Sequence, residues 1–140
     1  MRQRPEQSED EICAGFVTAL RDLETYNQII NPEAFMWFHI PNGQRAGGNA
    51  TSRAIAGARD KRLGALRGVP DYCFHWSTED GTPWVGYLEA KTLIGTLSPE
   101  QKAFRAYCLK TGVPFDVFRT VQRGLQILQS WGIIKQGAVV

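Results

Sequence analysis

No stretch of this chain stays apolar for the ~20 residues that a membrane span requires, and the N-terminus, MRQRPEQSEDE, is polar where a secretory signal would be hydrophobic. Both absences lead to the expectation of a cytosolic protein. Cysteine is sparse: Cys13, Cys73 and Cys108 are odd in number, far apart and in no CxxC spacing. That excludes a disulfide framework and a structural zinc site and leaves buried free thiols. Histidine is sparser still. His39 and His75 are the only two and stand in no ligand spacing, so core or surface roles are expected of them ahead of catalysis. There is no internal repeat, no low-complexity segment and no pattern that asks for an organic cofactor. What is present is 140 residues, 43% hydrophobic and 21% charged, enough for one core and no second domain. The expected organisation is a loose tail over residues 1–7 and one domain over 8–140.

The net charge of +2 is small but unevenly spread. Arg45, Arg53, Arg59, Lys61, Arg62 and Arg67 stand against a single acid, Asp60, so this segment carries +5 and leaves −3 for the rest of the chain.

Local patterns give an order of elements. Ser8 followed by Glu11 fits a capping box, and Ile12, Phe16, Val17, Leu20 and Leu23 recur at helical spacing, predicting a helix from Ser8 to Leu23. Phe35 to His39, bounded by Pro32 and Pro41, reads as a short buried strand, and Pro41 to Asn49 as turn. A second helix over Thr51 to Leu66 has only a thin apolar stripe. Asp71 to Trp76 and Trp84 to Ala90 form a hairpin, Ser98-Pro99 starts a helix that Gly112 ends, Phe115 to Arg119 is a strand, and Val121 to Trp131 is a last helix stopped by Gly132. The predicted fold class is therefore α/β, a mixed sheet flanked by helices. Trp37, Trp76, Trp84 and Trp131 fall on the sheet and last helix, as core or dimer interface would require.

The hairpin carries the candidate chemistry. Residues two apart in a strand share a face, so Glu89 and Lys91 project together. If Glu79-Asp80-Gly81 forms a type I turn closed by a left-handed Gly81, Thr78 pairs with Thr82 and Asp71 falls opposite Glu89; a two-residue Asp80-Gly81 turn would send Glu89 to the other face. Two carboxylates and an ammonium converging at a sheet edge call for a balancing ligand. Mg²⁺ or Mn²⁺ on Asp71 and Glu89, with the Ala90 carbonyl beside them, would supply it, leaving positions for water and a substrate phosphate. Lys91 would then orient that water or stabilise charge on the phosphate. The bland alternative is an exposed ion pair between Asp71 and Lys91 with Glu89 solvated.

Four segments in order, HIPNGQR (His39 to Arg45), GVPDYCF (Gly68 to Phe74), LEAKT (Leu88 to Thr92) and GTLSPEQ (Gly95 to Gln101), resemble the VRR-NUC family of the PD-(D/E)XK nuclease superfamily. The resemblance runs from Ser8 onward and is closest to the stand-alone members of phages and bacteria. It implies a PD-(D/E)XK restriction-endonuclease-like core with Asp71, Glu89 and Lys91 as catalytic residues. It also implies a glutamine from the following helix, Gln101, and an acid on the first helix, for which Glu9 is preferred over Glu11 because it shares the side of Ile12 and Cys13. The implied activity is metal-dependent, structure-specific cleavage of Holliday-junction or branched DNA by a two-fold homodimer in the cytoplasm of a bacterium or phage-infected host. The alternatives are a flap, nick-processing or restriction-like nuclease, and a catalytically silent DNA-binding module. Beside such a site the basic segment becomes the expected DNA footprint, with Asn42, Arg45, Arg53, Arg59, Lys61 and Arg67 as candidate contacts.

Overall fold

The computed structural model describes residues 6–41 and 50–139, the side chains of positions 50, 53 and 56 excepted. Its elements are α1 (Glu9–Thr25), a 3-10 turn (Pro32–Ala34), β1 (Met36–His39), α2 (Ala50–Arg62), β2 (Tyr72–Ser77), β3 (Pro83–Ala90), α3 (Pro99–Thr111), β4 (Phe115–Phe118) and α4 (Val121–Ser130). The strands form one sheet in the order β1-β2-β3-β4. Its first two pairings are antiparallel and β3 pairs with β4 in parallel, joined by α3 as crossover. This is the expected mixed α/β architecture with the expected order of elements.

Local chemistry accounts for most boundaries. The Ser8 hydroxyl accepts the Glu11 N–H at 3.2 Å, and Glu9, Asp10 and Glu11 place negative charge at the positive end of α1. α3 opens on a complete capping box between Ser98 and Gln101 and closes on left-handed Gly112. α4 is capped by Thr120, whose hydroxyl accepts the Arg123 N–H at 3.1 Å.

One face of the sheet is sealed by α1 and α4. Ile12, Phe16 and Leu20 from α1 and Ile127 and Leu128 from α4 bury against Tyr72, Phe74, Leu88, Ala90 and Phe118. Phe16 sits at the centre, its ring 4.7 Å from Phe118 and 5.4 Å from Tyr72. Trp131 stacks on Trp76 at 5.2 Å, and Trp84 also stacks on Trp76, at 6.3 Å, while staying 40% exposed. Among the described residues the opposite face is covered over β3 and β4, where α3 sets Phe104 against Tyr87 and Phe115.

Three expectations need correction. β1 is an edge strand whose Met36, Phe38 and His39 are exposed, so its aromatic run does not mark a buried strand. The second helix ends at Arg62, short of Leu66; it is exposed along its described length apart from half-buried Asp60, and with Ile55, Leu63 and Leu66 all outside the core there is no packing to extend it. The cysteines are free thiols, but Cys13 is only half-buried, unlike Cys73 and Cys108. Within the segment expected as tail, a Glu6 carboxylate oxygen accepts the Ile94 N–H at 3.2 Å. Among the described residues no helix is long and apolar enough to cross a membrane.

Candidate active site

The hairpin turn fixes the phase of everything beyond it. Gly81 adopts φ +84°, its N–H donates to the Thr78 carbonyl at 2.8 Å, and the Thr78 N–H donates to the Thr82 carbonyl at 3.0 Å. This is the three-residue loop, and only a residue tolerant of positive φ closes it readily. The register that follows pairs Ser77 with Pro83 and Tyr72 with Leu88, which continues to Asp71 opposite Glu89. Tyr72 and Leu88 point into the α1/α4 core, so Asp71, Glu89 and Lys91 lie on the other side, at the end of the sheet next to α3.

Glu89 is the one buried charged residue among the described residues, at 3% exposure. Its Oε1 accepts a hydrogen bond from Gln101 Nε2 at 2.8 Å, while its Oε2 is buried with no partner. Burial pushes the carboxyl up to about 8, the Asp71 charge adds to the rise, and Lys91 opposes it. Asp71 Oδ2 accepts the Ala90 N–H at 2.7 Å; burial raises this acid as well, and the Ala90 hydrogen bond works against the rise. Ala90 thus lies fully buried between the two acids, its N–H turned to one of them. Lys91 Nζ stands 3.5 Å from Glu9 Oε1, which brings the first helix to the site through Glu9. Glu11 is occupied at the helix cap, where it takes a 3.3 Å hydrogen bond from the Ser8 hydroxyl. The alternative of an exposed Asp71–Lys91 pair with a solvated Glu89 does not hold, since Glu89 is buried and Lys91 pairs with Glu9.

Gln101 does two jobs with one amide. Its Oε1 accepts the Ser98 N–H at 2.8 Å, completing the cap, which fixes the amide so that Nε2 meets Glu89. Gly68 holds this helix end in place. At φ +82° it packs so closely that a Cβ there would lie 2.4 Å from the Glu100 carbonyl carbon and 2.7 Å from the Gln101 nitrogen. The loop leading to Asp71 and the first turn of α3 are therefore locked together.

Asp71, Glu89, Lys91, Gln101, Glu9 and Ala90 are brought together by the fold. Asn42 and Arg45 fall outside the described residues, and so does the side chain of Arg53. Arg59, Lys61 and Arg67 are exposed on α2 and the loop after it. Sequence reasoning set His39 aside, yet its Nδ1 lies 2.9 Å from the Asp71 carbonyl oxygen, at the margin of the site. Nothing local signals this, because the contact spans β1 and the start of β2. Arg119 was also passed over; its guanidinium donates to the carbonyls of Thr92 and Gly95 and holds the loop that follows Lys91.

Among the described residues no group of three or more His, Cys, Asp or Glu side chains could encage a metal. The donor set is two carboxylates on one face, one with a buried, unpartnered oxygen. That fits a hard cation such as Mg²⁺, which takes one or two carboxylates and completes its shell with water and phosphate. Comparison with known proteins adds no assignment: no family model, no curated protein and no solved structure matches the chain.

Proposed function

We propose that the protein is a Mg²⁺- or Mn²⁺-dependent endodeoxyribonuclease with a PD-(D/E)XK core, related to the VRR-NUC family and acting on branched or four-way-junction DNA. The observation that carries the reading is Glu89: an acid almost fully removed from water, opposite a second acid, with one oxygen left without any partner. Burying such a group unpaired is costly, so stability does not account for it.

Asp71 and Glu89 would hold the cation, with the Ala90 carbonyl as third candidate, and a cation held there would supply Lewis acidity toward a phosphate and a water. The protein's own groups do the rest. The Ala90 N–H and Gln101 Nε2 each fix one oxygen of Asp71 and Glu89, so both carboxylates are oriented before substrate arrives. Lys91, 11% exposed, offers a cation in a poorly solvated position where it can offset charge building on the phosphate. Glu9, 48% exposed, holds that ammonium from the solvent side. A chain with one such site cuts one strand, so symmetric resolution of a junction calls for a two-fold homodimer.

The test is incubation of the purified protein with a labelled four-way junction, a flap and a linear duplex, each with Mg²⁺, Mn²⁺ or a chelator. Metal-dependent junction cleavage, lost in Asp71→Ala and Glu89→Ala, is expected. Cleavage of the flap alone would move the substrate, and DNA binding with no metal-dependent product would reduce the protein to a binding module.

A further inference from the structure

The free edge of β4 and the adjoining side of α3 enclose a groove of about 240 Å³. Two arginines, Arg105 and Arg119, line it together with apolar Leu97, Leu109, Phe115 and Val117. Arg119 is half-buried, and its Nη1 donates to the carbonyls of Thr92 at 2.5 Å and Gly95 at 2.7 Å. Carbonyl dipoles position a guanidinium without neutralising it. The acid that also lines the groove, Asp116, is engaged elsewhere: its Oδ2 lies 3.8 Å from Arg123 and its Oδ1 accepts the Val117 N–H at 2.8 Å. Among the described residues neither Arg105 nor Arg119 has a carboxylate partner within ion-pair distance. Two cations with no carboxylate partner of their own, and a third in Arg123 beside the single acid, therefore give this concave surface a positive balance, which favours an anion.

The groove adjoins the candidate active site. The Lys91 N–H donates to the Phe118 carbonyl, one residue before Arg119, and the Lys91 stem passes 3.6 Å from where a Cβ on Gly95 would lie. The Thr92–Gly95 loop thus separates the Lys91 side chain from the Arg119 guanidinium. On α3, Arg105 follows Gln101 by four residues, on the same side and about one 5.4 Å turn away.

We propose that this groove binds a backbone phosphate of the substrate strand, adjacent to the scissile one, through Arg105 and Arg119, with the sugar against Leu97 and Leu109. The assignment rests on the nuclease reading above for the identity of the anion. It places the strand along α3 and the β4 edge, a track distinct from the exposed basic helix α2.

The experiment measures binding of the full chain to labelled duplex and four-way-junction DNA in chelator, across a series of salt concentrations. Arg105 is exposed, so its variants should fold, as circular dichroism will check. Arg105→Gln should weaken binding and lower the slope of log affinity against log salt by about 1, the release of roughly one counterion. Arg105→Lys, which retains the charge, should keep the slope, and Lys110→Gln, at the far end of α3, should leave it unchanged. An unaltered slope in Arg105→Gln, an equal fall in Lys110→Gln, or no DNA binding by the parent protein would overturn the proposal. Cleavage is assayed separately: the predicted slope changes without any metal-dependent product would support the groove and defeat the hydrolase.

Discussion

Toward α1 and α4 the sheet presents Tyr72, Phe74, Trp76, Leu88, Ala90 and Phe118, none more than 5% exposed. Toward α3 the same strands present Glu89 beside Cys73, and beyond the reach of that helix the exposed Met36, Phe38 and Val85. The buried centre of the first face is apolar and filled by aromatic contacts around Phe16, so these residues are explained by burial alone, while Asp116 beside Leu88 and His39 beside Tyr72 put polar groups on its edge strands. The second is half covered and holds an acid where burial penalises it. The packed core and the candidate site are divided between the two sides of one sheet, and alternation along β3, from Leu88 to Glu89 to Ala90, is what separates them.

The sharpest break in that division is at the centre of the first face. Phe16→Ala should destabilise the protein by about 3–5 kcal/mol, measured by urea denaturation, because a fully buried ring would be replaced by a cavity. A loss below about 1 kcal/mol would mean that the face can collapse around the gap. A smaller effect is expected where the two regions are joined. Gly68→Ala should cost about 1–3 kcal/mol through positive φ and contact with the Glu100 backbone, and should lower cleavage more than that loss explains, since Gln101 would move off Glu89. Cleavage falling only in step with the folded fraction would remove the positioning role.

The comparison is also sharpened through pH. Glu89 binds a proton more tightly in the folded protein, about 8 against its ordinary 4.5. The folded state therefore holds more protons between those values, and this contribution to stability is complete below about 4.5 and lost as pH rises through about 8. In chelator, the Tm should fall from pH 5 to pH 9, each kcal/mol reading as about 3–5 °C in a protein of this size. Glu89→Gln should flatten the profile, and an identical profile in the variant would assign the dependence to other groups.

Much of the fold was legible because its signals are local. Ser98-Pro99 and Gly112 define α3 through cap chemistry, and the three-residue loop ending at Gly81 settles the hairpin phase, hence the face on which Glu89 appears. Where the signal depends on packing partners, reading failed: the aromatic run of β1 resembles a buried strand, but among the described residues no strand pairs with its outer edge, and none receives the apolar side chains at the end of α2. Alternation alone places Glu89 with Lys91, and the three-residue form of the loop is needed to bring Asp71 opposite them. The Gln101–Glu89 bond was anticipated only through a family resemblance, while the approach of His39 to Asp71 and of Arg119 to the Thr92–Gly95 loop joins segments about 25 to 30 residues apart, and no spacing rule reports such contacts.

Calorimetric titration of Mn²⁺ into the protein near pH 7, in buffers of different ionisation enthalpy, tests the central claim most directly. One ion per chain should bind with release of a proton from Glu89, and both binding and release should disappear in Glu89→Gln. Binding of equal strength by that variant, or none by the parent protein at millimolar metal, would contradict the account.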